Sequence, residues 1–235
     1  MFTSPSGQAQ QAKRTEMIDA FLLSGTPRLE PGQVSLTFDD GPGPRTAELA
    51  RLLAEQDVPA TFFVLGESLQ HYLPMLDVVR DCGHAIGLHG EVHRPFLSVD
   101  LATRQLDRCR ARIAGYLPET PWFRPPYGFK DLVVPGYAGP VGWNADGQDW
   151  DITYRRGQTV EHCVDRIVET LLQQAGGIVV LHDFAPFTEF TGRGLAVADL
   201  DLRVVEIASL LIRRLREHRF TLVGLPDPIA EPVPA

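Results

Sequence analysis

The run Val34-Ser35-Leu36-Thr37-Phe38-Asp39-Asp40-Gly41-Pro42 begins as a strand and ends as a turn. It opens on apolar and β-branched residues, two carboxylates follow together, and Gly41-Pro42 then makes the chain change direction. The same pattern recurs outward along the chain. Short runs rich in β-branched and aromatic residues occur at Thr61–Leu65, Ala85–Leu88, Trp122–Phe123, Val141–Trp143, Ile178–Leu181 and Phe220–Val223, and each reads as a strand. Helical stripes separate most of them: Leu49, Leu52 and Leu53; Val160, Val164, Ile167, Val168, Leu171 and Leu172; Ile207, Leu210, Leu211 and Leu215. Strand–helix alternation of this kind predicts an α/β fold with a mainly parallel sheet, open or closed into a barrel.

A chain of 235 residues, 44 % hydrophobic and 22 % charged, suits one soluble α/β domain. The net charge of −8, with no basic run among aromatics, argues against nucleic acid and favours a neutral or cationic substrate. Cys82, Cys109 and Cys163 are odd in number and widely spaced, so they read as reduced thiols on buried helix faces, not a disulfide or zinc framework. The apolar stretch Met17–Leu23 is short and interrupted by Asp19, which does not make a signal peptide, and nothing approaches the ~18 apolar residues of a membrane span. The expectation is a cytoplasmic protein, or a secreted one if a leader has been removed. Residues 1–32 read as a partly flexible lead-in, and residues 225–235 as a tail too rich in proline for a helix or central strand.

The reactive residues fall just after the predicted strands. Asp39-Asp40 follows the first, His89 the third, Arg124 the fourth and His182 the sixth, with Asp149 a few residues beyond the fifth. In parallel α/β folds these strand ends share one face, where active sites are built. His89 and His93 are four apart, so a helical turn would point both imidazoles the same way. Two histidines and one carboxylate leave positions open for water and substrate, the arrangement of a catalytic metal site. Asp39 and Asp40 both reach the pocket if the chain turns there. One would bind metal and the other stay free as a base.

Taken together, the motifs resemble those of the polysaccharide deacetylase family, the NodB-homology domains of carbohydrate esterase family 4. They are Thr37-Phe38-Asp39-Asp40-Gly41-Pro42, the segment Gly83–His93, Arg124-Pro125-Pro126-Tyr127-Gly128, Asp146-Gly147-Gln148-Asp149-Trp150 and Val180-Leu181-His182-Asp183, in the family's order. The resemblance implies a distorted (β/α)₇ barrel, with residues 33–224 as the catalytic domain. It implies a divalent metal, zinc before cobalt, on Asp40, His89 and His93. Asp39 becomes the general base, held by Arg124, and His182 the general acid, oriented by Asp149. The Tyr127 N–H would meet the oxyanion, and Trp150 and Leu181 would contact substrate. The implied reaction removes acetyl from an N-acetylated amino sugar such as a chitooligosaccharide, with a small intracellular metabolite, such as a glycosylated natural product, as the alternative.

Two positions depart from the family pattern. Gly90 stands where Ser or Thr usually follows the first histidine, and Val180 stands where Leu is usual. The segment Phe184–Gly194, with three Phe and two Gly, is also longer than the family leads one to expect, and reads equally as a substrate-covering loop or a surface connector. Non-haem iron oxygenases also use two histidines and a carboxylate, but the Asp39–His182 pair is better explained by hydrolysis. A non-catalytic carbohydrate-binding relative would be expected to lose a catalytic residue, and none is lost here.

Overall fold

Apolar alternation makes β1 (Gln33–Asp39) a central strand, and every residue from Val34 onward is buried. The computed structural model describes residues 24–129 and 131–228; the first 23 residues of the expected lead-in, with the Met17–Leu23 stretch, and the tail from 229 lie outside them. In chain order there follow α1 (Thr46–Glu55), β2 (Ala60–Leu65), α2 (Leu69–Tyr72), α3 (Met75–Asp81), β3 (Ala85–Gly90), α4 (Val99–Ile113), β4 (Ala145–Asp146), α5 (Trp150–Thr153), α6 (Val160–Gln174), β5 (Gly177–His182), α7 (Phe187–Gly192), α8 (Val204–Glu217) and β6 (Thr221–Leu222). The strands pair in parallel in the order β3-β2-β1-β5-β4, and β6 pairs with the start of β1.

Beyond β3 the wall becomes irregular. Leu88 bridges Phe123, Trp122 bridges Ala138, and the Asn144 N–H donates to the Ile178 carbonyl at 3.0 Å. These single links carry the ring from β3 round to β5, which is the distorted α/β barrel the motifs imply. The strand expected at Val141–Trp143 does not form there; β4 starts two residues past Trp143. The Val141 and Gly142 carbonyls are taken by the Arg124 guanidinium, which occupies acceptors a ladder would need.

The helical stripes pack as their spacing predicts, with one exception. Leu49 and Leu53 of α1, Val164, Ile167, Val168 and Leu171 of α6, and Ile207, Leu211 and Leu215 of α8 join one core beneath the sheet. Leu172 does not: it is 49 % exposed, one position past the buried face of α6. Ser98 and Thr159 cap α4 and α6 by accepting the N–H of Leu101 and His162. Cys109 and Cys163 are buried on helices, and Cys82 is half-buried; all three are free thiols. Phe184, Ala185, Phe190 and Leu200 form a second, smaller cluster with Tyr72, Tyr154 and Phe187. The long segment after β5 is therefore a packed wall with its own core. No helix among the described residues is long and apolar enough to cross a membrane.

Strand alternation corrects one expectation. Leu181 was expected at the pocket, but it turns into the main core, while Val180 and His182 on either side face the pocket. Leu181→Ala should therefore behave as a core truncation, lowering the unfolding free energy by ~2–5 kcal/mol in urea titrations.

Candidate active site

Parallel register brings the first two reactive residues together. Asp39 of β1 is the Cα partner of His182 of β5, so the two side chains leave neighbouring strands on the same face. One residue further, Asp40 takes a left-handed conformation (φ 73°), which swings its carboxylate out of the strand alternation and into the same pocket. Gly41 is required beside it: a Cβ there would lie 2.2 Å from the carboxylate of Asp183. Asp183 is buried with one oxygen bonded by the Thr46 hydroxyl, and burial pushes its pKa up to about 7.

The two histidines converge without a helix. His89 sits in β3, and His93 sits in a bend just after it. The turn is made at Gly90, whose φ of 105° disfavours any side chain and whose added Cβ would press on the Phe96 ring at 3.2 Å. Glycine is thus what this loop needs in place of Ser or Thr. Gln105 of α4 braces it by accepting the N–H groups of Glu91 (3.1 Å) and Val92 (3.2 Å).

The Oδ1 of Asp40 lies 3.4 Å from His89 Nε2 and 3.6 Å from His93 Nε2, and it is buried without a hydrogen-bond partner. A buried carboxylate oxygen left in that state is costly unless something cationic meets it. One ligand atom from each of the three residues lies within 4.8 Å of the others, so the set fits a divalent metal. The tautomers also suit ligation. His89 Nδ1 donates to the Arg124 carbonyl at 2.8 Å and His93 Nδ1 to Glu189 at 2.6 Å, which leaves each Nε2 lone pair facing Asp40.

Arg124 is fully buried behind the pocket. Its Nη1 donates to Asp39 Oδ1 and to the Thr37 hydroxyl, both at 2.8 Å, while Nε and Nη2 reach the Val141 and Gly142 carbonyls at 3.1 and 3.2 Å. The guanidinium also stacks over Phe63, 4.4 Å from the ring centre. On the other side, buried Asp149 holds His182 twice, accepting its Nδ1–H at 2.8 Å and its backbone N–H at 2.7 Å.

These surroundings drive the titrating groups apart. Burial raises Asp40 to about 6 against the opposing pull of His93 and His182. Burial dominates at His89 and lowers it to about 3, outweighing the attraction of Asp39. Burial would also depress His182, but the charge and hydrogen bond of Asp149, with Asp40 and Asp39 adding, overcome it and push His182 up to about 10. These charges favour the imidazolium form of His182.

A pocket of about 430 Å³ opens over these groups. Tyr127 and Trp150 line it, as the sequence predicted, and Tyr127 is left-handed (φ 61°) within the Pro125–Gly128 turn. Arg124 and Asp149 do not line it; they stand behind Asp39 and His182. Trp143, Tyr154, Arg156, Glu189 and Arg193 also line it, and no motif marked them. Glu189 and Arg193 lie in the long segment after β5, whose length was the only signal.

Comparison with known proteins agrees with this architecture. A family model for polysaccharide deacetylases matches residues 27–142. A chitooligosaccharide deacetylase of Sinorhizobium fredii is 34 % identical over 209 residues, covering 83 % of this chain and 90 % of that protein. Among solved structures, the chitin deacetylase of Colletotrichum lindemuthianum has a TM-score of 0.67 at 25 % identity, covering 88 % of this chain and 93 % of the other. The peptidoglycan deacetylase PdaC of Bacillus subtilis has a TM-score of 0.60 at 29 % identity, with 84 % and 90 % covered. The fold and the strand-end site define a metal-dependent hydrolase. The chain belongs to the polysaccharide deacetylase family.

The buried Arg124–Asp39 pair yields a stability prediction. Arg124→Leu leaves Asp39 as an uncompensated buried carboxylate and should cost ~3–5 kcal/mol at neutral pH. Asp39→Asn in the same chain should recover part of that loss in denaturant unfolding.

Proposed function

We propose that this chain is an N-deacetylase of N-acetylated amino sugars, with residues 33–224 as its catalytic unit. The observation that carries the reading is the unpartnered, buried Asp40 Oδ1 facing two imidazole Nε2 atoms, beside an Asp39–His182 pair held in strand register. Asp40, His89 and His93 would hold the metal, and their mixed nitrogen and oxygen donors suit zinc, with cobalt a workable substitute. When bound, the metal supplies Lewis acidity toward the acetyl carbonyl and lowers the pKa of a coordinated water toward ~7.

The chain's own groups do the rest. Arg124 bonds Oδ1 of Asp39, which leaves Oδ2 to take the proton of the attacking water. The Tyr127 N–H would meet the carbonyl oxygen as it gains negative charge, an interaction stronger in the transition state than in the ground state. His182, kept protonated by Asp149, gives its proton to the leaving amine as the C–N bond breaks. Water is thus divided between the acetate and the freed amine. Trp150 would wall the groove beside the sugar. An iron oxygenase would have no use for an acid and a base opposed in this way.

The substrate comes by similarity to the chitooligosaccharide deacetylase. One feature favours the alternative of a small N-acetylated metabolite. Pro186, Glu189 and Arg193, from the long segment after β5, line the pocket and would leave less room for a long chain.

Acetate release from N-acetylchitooligosaccharides with added zinc or cobalt tests the function. Asp39→Asn should reduce it ~10²–10⁴-fold, and chelation should abolish it until metal is restored. Release unaffected by either change would refute the mechanism. No release from any oligosaccharide would move the substrate to small metabolites. The acid assignment has its own pH test. The His182 proton is present below its raised pKa and lost above it, and Asp149→Asn removes the main cause of that elevation. The alkaline limb of kcat/KM should move to lower pH by about 1–3 pH units. An unmoved limb would show that His182 is not the acid.

A further inference from the structure

Glu189 of α7 lies outside every motif that marks the active site, yet it touches two of them. Its Oε1 accepts the Nδ1–H of His93 and the hydroxyl of Tyr127, both at 2.6 Å, while Oε2 lies 3.9 Å from Arg193. The side chain is only 24 % exposed. The His93 and Tyr127 rings pack on each other, 4.2 Å between centres, so the carboxylate fastens a preassembled pair. Its helix is seated separately: Phe187 and Phe190 pack on Phe184, and Glu67 accepts the Thr188 N–H at 3.1 Å.

The two histidines of the metal site are therefore held by different means. His89 is oriented by a backbone carbonyl, that of Arg124, inside the barrel wall. His93 is oriented by a side chain on a short helix that could be displaced without breaking the sheet. We propose that Glu189 is a positioning residue that sets the tautomer and ring plane of His93. It thereby links divalent-metal binding to the seating of residues 184–194. A carboxylate on the outer nitrogen fixes the inner lone pair and makes the ring a stronger donor. The coupling is reciprocal: metal binding secures the helix, and a seated helix tightens the metal. It rests on the assignment of Asp40, His89 and His93 as metal ligands. A contact that served packing alone would leave metal affinity untouched.

The test uses the full chain. Zinc affinity is measured by competition with a chromophoric chelator in wild type, Glu189→Gln, Glu189→Ala and Asp40→Ala. Amide exchange over residues 187–193 is followed with and without zinc. Glu189→Ala should weaken zinc binding ~10–100-fold, with the Gln variant, which keeps the shape but loses the charge, in between. Zinc should slow exchange over 187–193 in wild type but not in Glu189→Ala. If the Ala variant does not fold, the isosteric Gln variant carries both measurements. Wild-type zinc affinity in the Glu189 variants, or exchange in wild type that zinc leaves unchanged, overturns the proposal. Equal affinity of wild type and Asp40→Ala has a different meaning, because it overturns the metal-site assignment itself and the coupling with it.

Discussion

A fully buried guanidinium organises this structure. Arg124 cannot lose its charge, so folding has to surround it with acceptors, and those acceptors come from Asp39, Thr37, Val141 and Gly142. Satisfying them aligns the end of β1 against the irregular wall. The backbone carbonyl of the same residue then accepts from His89 and turns that ring toward Asp40. One side chain and its own peptide group thus order a carboxylate, an imidazole and the least regular part of the barrel.

Around that frame the fold separates two imidazoles that begin with the same chemistry. His89 has a neutral carbonyl as its outer partner, and burial pushes its pKa down, which suits the proposed role of metal ligand. His182 is given a carboxylate on its outer nitrogen, which pushes its pKa up and suits the proposed role of proton donor. The two rings are driven in opposite directions because burial prevails at His89, while the Asp149 carboxylate overcomes it at His182.

Much of this was legible in the sequence because the reactive residues cluster after apolar runs, and parallel sheets gather strand ends on one face. Asp39, Asp40, His89, His93, Arg124, Asp149 and His182 all converge as that placement predicts. What the sequence misjudged was local geometry. The spacing of four between His89 and His93 looked helical, but Gly90 makes the turn through positive φ. Leu181 looked like pocket wall, but the period of a strand assigns that face to Val180. Glu189 was illegible because nothing local marks it. Its partners are 96 and 62 residues away in the chain, and only the packing of the phenylalanines around it brings them within reach.

The irregular wall between Phe123 and Asn144 has a consequence of its own. It is stitched to the barrel at a few points: the bridges at Leu88 and Ala138, the Arg124 bonds to Val141 and Gly142, and the Asn144 link to β5. Between those stitches, residues 131–133 have no ladder register to keep, whereas Val134 and Tyr137 are seated in the core. An insertion or deletion there need not shift any strand, so evolution can lengthen or trim the rim beside Tyr127 while the catalytic centre keeps its alignment. The seam is where one barrel can be given a differently shaped rim.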